Sequence, residues 1–334
     1  MKNKLQLPKM LQEAVKCFSD SQKTFDYAVM LRWPNGKVTC PRCGSTEHSF
    51  ISTRRIWFCK GCKKQFTTKV GTIFEDSALG MDKWMIAVWL IVNCKNGISS
   101  YEVHRAIGIT QKSAWFLDHR IRLALNDGTI EKLSGHIEAD ETFIGGKARN
   151  MHAAKRVRKI TGTGGKDKTA VMGILERSKD GSSKVRTAVV PSRKKSALQA
   201  EVRKYVEAGS ALYTDALQSY NGLDEFEHQV VDHAVKYVHG KVHTNGMENF
   251  WSLLKRGLHG TYISVEPFHL FRYLDEQVYR FNNRKLTDGE LFSAAVSGIV
   301  GKRLTYKGLT AAEDTEACFT SDRSAVSEPS DAQY

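Results

Sequence analysis

The spacing of apolar and polar positions divides the chain into stretches of different period. From Met81 to Cys94 ("MDKWMIAVWLIVNC") the pattern predicts a helix that packs against the helices after it. Ser99 and Glu102 then stand at capping-box spacing and predict a short helix to about Ile107. Gly108 marks a turn. Thr110 is placed to cap a second helix, on which Ala114, Leu117, Ile121 and Leu125 recur at helical spacing. Beyond Gly135 the period shortens. Strands are predicted at about 136–144, 169–176 and 185–190, in "ALYTD" ending at Asp215, and at 228–233. Helices fit 196–207 and about 246–258, the second with Met247, Phe250, Trp251, Leu254 and Leu258 in one apolar stripe. Trp251, Phe268, Phe271, Tyr273 and Phe281 read as core. Three strands in series, then helix and strand in alternation, predict an α/β unit on a mixed sheet.

Four regions follow from this pattern: 1–75, 80–128, 134–310, and a tail at 311–334 that is acidic, Ser-rich, aperiodic and predicted to be disordered. The chain of 334 residues carries a net charge of +14. Six acids and one base lie between Glu313 and Tyr334, so on the order of +19 falls on the rest. A body this basic points to a polyanionic partner, most simply DNA. The longest apolar run, Met85 to Val92, is too short to cross a bilayer, and the N-terminus lacks a continuous apolar segment. A cytoplasmic protein without a membrane partner is the expectation.

Four of the seven cysteines form two pairs, Cys40-Pro-Arg-Cys43 and Cys59-Lys-Gly-Cys62, separated by fifteen residues. Two such knuckles offer four thiolates in a tetrahedron and predict a structural Zn²⁺ in a zinc ribbon within a reducing compartment. Arg42, Arg54, Arg55, Lys60, Lys63 and Lys64 surround it. The two helices after 99 have the pattern of a helix-turn-helix, whose second helix would present Gln111, Lys112 and Ser113 to DNA. A second set of basic residues, including Lys155, Arg156, Arg158 and Lys159, lies in a predicted Gly-rich loop at about 147–168 and is a further candidate DNA contact.

The first predicted strand of the α/β unit, "HIEADETFIGGK", holds Glu138, Asp140 and Glu141 among apolar residues. Burying carboxylates is costly unless they are paired or bound to a cation. Glu138 and Asp140 share a strand face and Glu141 stands beside them, so the residues alone leave any of the three as a candidate. Asp215 ends another strand. On the helix after 246, Glu248, Ser252 and Lys255 share a face beside the apolar stripe. Three carboxylates from a strand, a strand end and a helix could meet at one point, where all-oxygen donors suit Mg²⁺ or Mn²⁺. Two such ions are a device for phosphoryl transfer.

These residues resemble a known family. Asp140, Asp215 and Glu248, with 32 residues between the last two, resemble the DDE triad of RNase H-like transposases, and Lys255 resembles the basic residue that often follows the Glu. "RWPNGKVTCPRCGS", "IEADETFIGGK", "YTDALQSY" and the block from His243 to Lys285 resemble bacterial insertion-sequence transposases of the ISXO type, which join a zinc ribbon to a DDE domain. The resemblance covers about 25 to 305. It implies an RNase H-like catalytic domain behind a zinc ribbon and a helix-turn-helix region. It also implies metal ligands at Asp140, Asp215 and Glu248, a catalytic role for Lys255, and a homo-oligomer working on DNA at the bacterial nucleoid. The expected activity is binding of the element's terminal inverted repeats, metal-dependent cleavage of a phosphodiester, and transfer of the released 3′ end to target DNA. Two rivals are an RNase H-like nuclease or resolvase without strand joining, and a non-catalytic zinc-ribbon regulator.

Overall fold

Most predicted elements form where the periodicity places them, but the basic loop after residue 146 holds a helix at Ala153–Lys159, a run free of Gly and Pro. The computed structural model describes residues 8–126, 128, 131–146, 152–159, 168–178, 180–231 and 243–311, without the side chains of Lys155, Arg158 and Lys159. The tail after 311, positions 147–151 and 160–167 of the basic stretch, and the last two positions of the strand predicted at 228–233 lie outside the described residues. In chain order the elements are α1 (Leu11–Phe18), α2 (Ser21–Arg32), β1 (His48–Ile51), β2 (Ile56–Cys59), β3 (Gln65–Phe66), α3 (Met81–Asn93), α4 (Ser100–Ile107) and α5 (Gln111–Leu125). They continue with β4 (His136–Ile144), α6 (Ala153–Lys159), β5 (Thr169–Glu176), β6 (Lys184–Val190), α7 (Lys195–Tyr205), β7 (Ala211–Asp215), β8 (Glu227–Val231), α8 (Asn245–Gly257), α9 (Leu270–Asn282), α10 (Asp288–Ser297) and α11 (Tyr306–Thr310).

The described residues fall into two units, 8–126 with 286–311, and 128–285. In the first, β1, β2 and β3 form an antiparallel sheet. Trp57 of β2 stacks on Phe66 of β3 and on Phe25 of α2, with Trp33 edge-on at 5.1 Å. The helix α3 is buried on most sides because α1, α2, α4, α5 and α10 all pack on it. Phe292 of α10 is fully buried against Phe18, Tyr27 and Trp89. Sequence order alone places α10 and α11 with the α/β residues before them; their packing places them here. The α4–α5 corner has the predicted chemistry. Ser99 and Glu102 form a reciprocal cap, Gly108 takes the left-handed conformation at φ +62°, and the Thr110 side chain accepts from Ser113 N at 3.1 Å.

The second unit is a mixed sheet in the order β6-β5-β4-β7-β8. Its first three strands are antiparallel; β7 runs parallel to β4, and β8 parallel to β7. Side-chain alternation sorts its two faces. Ile137, Ala139, Met172 and Ile174 pack under Leu198 and Val202 of α7. Val171, Leu175 and Val185 pack under Met247, Trp251 and Leu254 of α8 and Leu270 and Phe281 of α9. Trp251, Tyr273 and Phe281 are core, as expected. Phe268 is not: it is 40% exposed, in the short turn that precedes α9.

Gly173 of β5, paired with Asp140, is where α8 comes closest to the sheet. A Cβ there would run into the Met247 side chain and stand 2.6 Å from the Trp251 ring. Replacing Gly173 with Val is expected to lift α8 from the sheet and destabilise the second unit by about 1–3 kcal/mol, the usual cost of overpacking. Urea unfolding of wild type and variant measures this; an unchanged midpoint would refute the close approach.

Candidate functional site

Two clusters of chemically competent side chains stand out, one in each unit. In the first, Cys40 and Cys43 follow α2, Cys59 ends β2 and Cys62 follows it. The two knuckles are built alike. Cys40 N donates to Ser45 O at 2.9 Å and Cys59 N to Lys64 O at 3.0 Å. The residue after each second cysteine is left-handed, Gly44 at φ +73° and Lys63 at φ +57°. The four sulfurs lie within 4.8 Å of one another, with Cys40 and Cys62 3.7 Å apart and Cys43 and Cys59 3.5 Å apart. A tetrahedral Zn–S₄ centre with bonds of about 2.3 Å puts its sulfurs about 3.8 Å apart, so the cluster has the shape of that ion. The Cys62 backbone N–H, donating to Cys59 Sγ, holds the Cys59 thiol down at about 6. Among the described residues this is the one His/Cys/Asp/Glu group with all its ligand atoms so close together.

In the second unit the acids come from three elements. Parallel pairing sets Glu138 of β4 opposite Tyr213 of β7. The ladder ends there, two residues short of Asp140 and Asp215 on their strands, and the two are near enough for the charge of Asp215 to act on Asp140. The face of β4 that holds Asp140 is covered by α8, which carries Glu248 at its exposed edge. Both oxygens of Asp140 are held: Oδ1 accepts from Glu141 N at 2.8 Å and Oδ2 from the Trp251 indole at 3.0 Å. Burial pushes the Asp140 carboxyl up to about 6, and the charges of Asp215 and Glu248 add to the rise. Asp215 Oδ1 accepts from Leu217 N at 3.1 Å. Glu141 turns to the other face of the strand, where it accepts from the buried Tyr220 hydroxyl. Burial raises it to about 7, opposed by that bond and assisted by Asp215 and Asp140.

Glu138 has a different environment. It is 1% exposed and pairs with Arg177 Nε at 2.6 Å. Its other oxygen accepts from Met247 N at 2.9 Å. Arg177 lies over the Tyr213 ring and donates to His243 Nδ1 at 2.9 Å and to the His243 carbonyl. Burial, then Arg177, lowers the His243 pKa, so the ring is a neutral acceptor rather than an ionic partner of Glu138 3.6 Å away.

The remaining predicted residues are spread more widely. Lys255 is half-buried on α8, about two turns or 10 Å along the axis from Glu248. Gln111, Lys112 and Ser113 begin α5. Gln111 is tied to Ser100 Oγ at 2.9 Å and Ser113 to Thr110, whereas Lys112 is exposed with its ammonium 4.9 Å from the Tyr306 ring centre. Arg156 is exposed on α6; the side chains of Lys155, Arg158 and Lys159 lie outside the described residues. The apolar spacing marked Trp251 only as core, missing its bond to Asp140. Arg177 carried no local signal at all: its place beside Glu138 depends on the β4–β5 register.

Comparison with known proteins agrees with these two centres. Residues 19–65 match the transposase zinc-ribbon domain and residues 132–282 the ISXO2-like transposase domain. An uncharacterised protein of the transposable element ISH50 from Halobacterium salinarum is 28% identical over 261 residues, 73% of this chain and 85% of that protein. An uncharacterised transposase-like protein of Haemophilus influenzae is 35% identical over 105 residues, 31% of this chain and 85% of that protein. No solved structure matches. A DDE transposase domain implies an RNase H-like fold, consistent with this mixed sheet. With both domains matched in order, one relative from a transposable element and another named transposase-like, the chain belongs to the ISXO2-like family of insertion-sequence transposases.

Proposed function

We propose that this transposase cuts and joins DNA at a divalent-metal centre held by Asp140, Asp215 and Glu248. The observation that carries this reading is the state of Asp140: half-buried, fixed through both oxygens, and under the repulsion of two other acids. Each Asp140 oxygen accepts one hydrogen bond and keeps a second lone pair for a cation. The hard oxygen donor set fits Mg²⁺ or Mn²⁺. Ions bound there would neutralise the cluster and supply Lewis-acid charge at the attacking and leaving oxygens. Trp251 and the Glu141 amide keep the Asp140 carboxylate in one orientation, and α8 presents Glu248 and Lys255 on one face toward DNA. Water would first displace the 3′ oxygen at the element end. The freed 3′-OH would then attack a target phosphodiester, one P–O bond forming as another breaks.

The ends would be recognised by the first unit. The zinc-bound ribbon gives it a rigid basic surface, and Lys112 at the start of α5 contacts DNA phosphates or bases. Arg156 and its neighbours on α6 add phosphate contacts from the second unit. The chain acts as a homo-oligomer on the paired element ends.

Three outcomes test this proposal. The purified protein contains one zinc per chain, and Cys59→Ser loses the metal and the β1–β3 structure while the second unit stays folded, by metal analysis and circular dichroism. Lys112→Ala weakens binding to element ends and lowers the salt slope of log affinity by about 0.9; an unaltered slope and sequence preference would leave α5 without a DNA role. Asp140→Asn reduces Mg²⁺-dependent cleavage at least about a hundredfold at equal DNA occupancy. The same variant has a pH signature. Because the folded carboxyl lies at about 6 against an ordinary 3.8, the native state favours its protonated form. That contribution is present below about pH 4 and is lost as pH rises through 6. Without divalent ions, Asp140→Asn is therefore more stable than wild type by about 1 kcal/mol at pH 7.5, after allowance for solvent screening, and the gap closes toward pH 4.

A further inference from the structure

Glu138 lies two residues from Asp140 on the same strand face, yet its environment is unlike that of a metal ligand. It is almost completely buried and already paired with a cation, the Arg177 guanidinium, while its second oxygen accepts from Met247 N. Met247 is the third residue of α8, and its N–H is one of those that a helix leaves without an internal partner. The N-cap of α8, Thr244, makes no side-chain capping bond. The cap comes instead from β4, 109 residues earlier in the chain. The fit is close: a Cβ on Gly246 would lie 2.9 and 3.0 Å from the two Glu138 oxygens. Arg177, at the end of β5, extends the grip backward by holding both the ring and the carbonyl of His243. The first turn of α8 is thus tied to the ends of β4 and β5 at residues 243 and 247. Glu248 is the next residue after the tie, and one turn later the Trp251 indole ties α8 to Asp140.

We propose that Glu138, with Arg177, is a positioning residue for the transposition chemistry: a carboxylate cap supplied by the central strand that sets where Glu248 stands relative to Asp140 and Asp215. This inference rests on the metal-centre reading above. It assigns Glu138 no contact with the ions. A helix start held only by its own backbone frays, and a ligand on its first turn then samples positions away from its partners. A buried charged acceptor on the N-terminal amides removes that freedom and is stabilised by the helix dipole.

The test uses the full-length zinc-loaded chain and Mn²⁺ as the probe, by calorimetric titration well below each variant's melting temperature, beside assays of DNA affinity and zinc content. Glu138→Gln keeps an acceptor for Met247 N but loses the charge. Arg177→Lys keeps the charge but loses the fork that spans Glu138 and His243. Each is expected to bind Mn²⁺ roughly tenfold more weakly, the usual scale for a residue that orients a ligand, with DNA affinity and zinc content unchanged. Glu248→Gln, which alters the ligand itself, is expected to weaken Mn²⁺ binding further. Wild-type Mn²⁺ affinity in both Glu138→Gln and Arg177→Lys, with affinity lost in Glu248→Gln, overturns the positioning role and leaves the metal centre standing. Wild-type affinity in Glu248→Gln overturns the metal centre and the positioning role together. Should Glu138→Gln fail to fold, Arg177→Lys decides alone, since its side chain is 19% exposed and tolerates the change.

Discussion

Placing carboxylates on the central strand of a sheet constrains the whole second unit. Ionised groups that leave water lose several kcal/mol of solvation unless the protein replaces it. On β4 two acids two residues apart receive different treatment. Glu138 gains a guanidinium and a helix amide and is fully compensated. Asp140 gains two neutral donors and keeps two acidic neighbours, so its charge is only partly answered. Both arrangements depend on α8 lying where it does, and α8 can lie there only because Gly173 offers no side chain beneath Met247 and Trp251. Packing and electrostatics on this face are one problem: the glycine that admits the indole also admits the donor that orients Asp140.

The cysteine cluster solves a smaller version of the same difficulty. The three-stranded sheet of the ribbon is too short to bury much on its own, and its core is a few rings, Trp33, Trp57 and Phe66, around two of the cysteines. Thiolates there would repel one another as the acids do. The repeated knuckle, with its left-handed residue after the second cysteine, holds the four sulfurs at the spacing of a tetrahedral ion. Lys63 adopts that conformation without being glycine, so local strain of about 1 kcal/mol is accepted to keep the sulfurs together.

How much of this was legible in the sequence differs by the range of the interaction. The strands at 136–144 and 169–176 and the capping box at Ser99 are local signals, and the structure has them at those positions. The four cysteines were legible because the spacing of a knuckle is itself local. That Asp140 and Asp215 come near each other was not, because it depends on the register of two parallel strands some 75 residues apart. Strand alternation and element ends allowed the acids to meet, and the family resemblance singled out Asp140 among its neighbours. The partnership of Glu138 and Arg177 was invisible for the same reason, and Gly173 looked like any glycine inside a strand. Phe268 illustrates the reverse error: an aromatic next to a helical pattern reads as core, but the proline turn before α9 directs it outward.

The packing of α10 on α3 has a consequence for how the protein is made. A ribosome delivers the ribbon and α3 to α5 first, but the surface of α3 that receives Phe292 stays bare until residues 288–297 have emerged. The α/β unit is thus synthesised inside a gap in the first unit, and the first unit is completed only after it. A chain that ended before residue 288 would therefore keep the flank of α3 that Phe292 covers bare, an apolar surface open to aggregation or proteolysis.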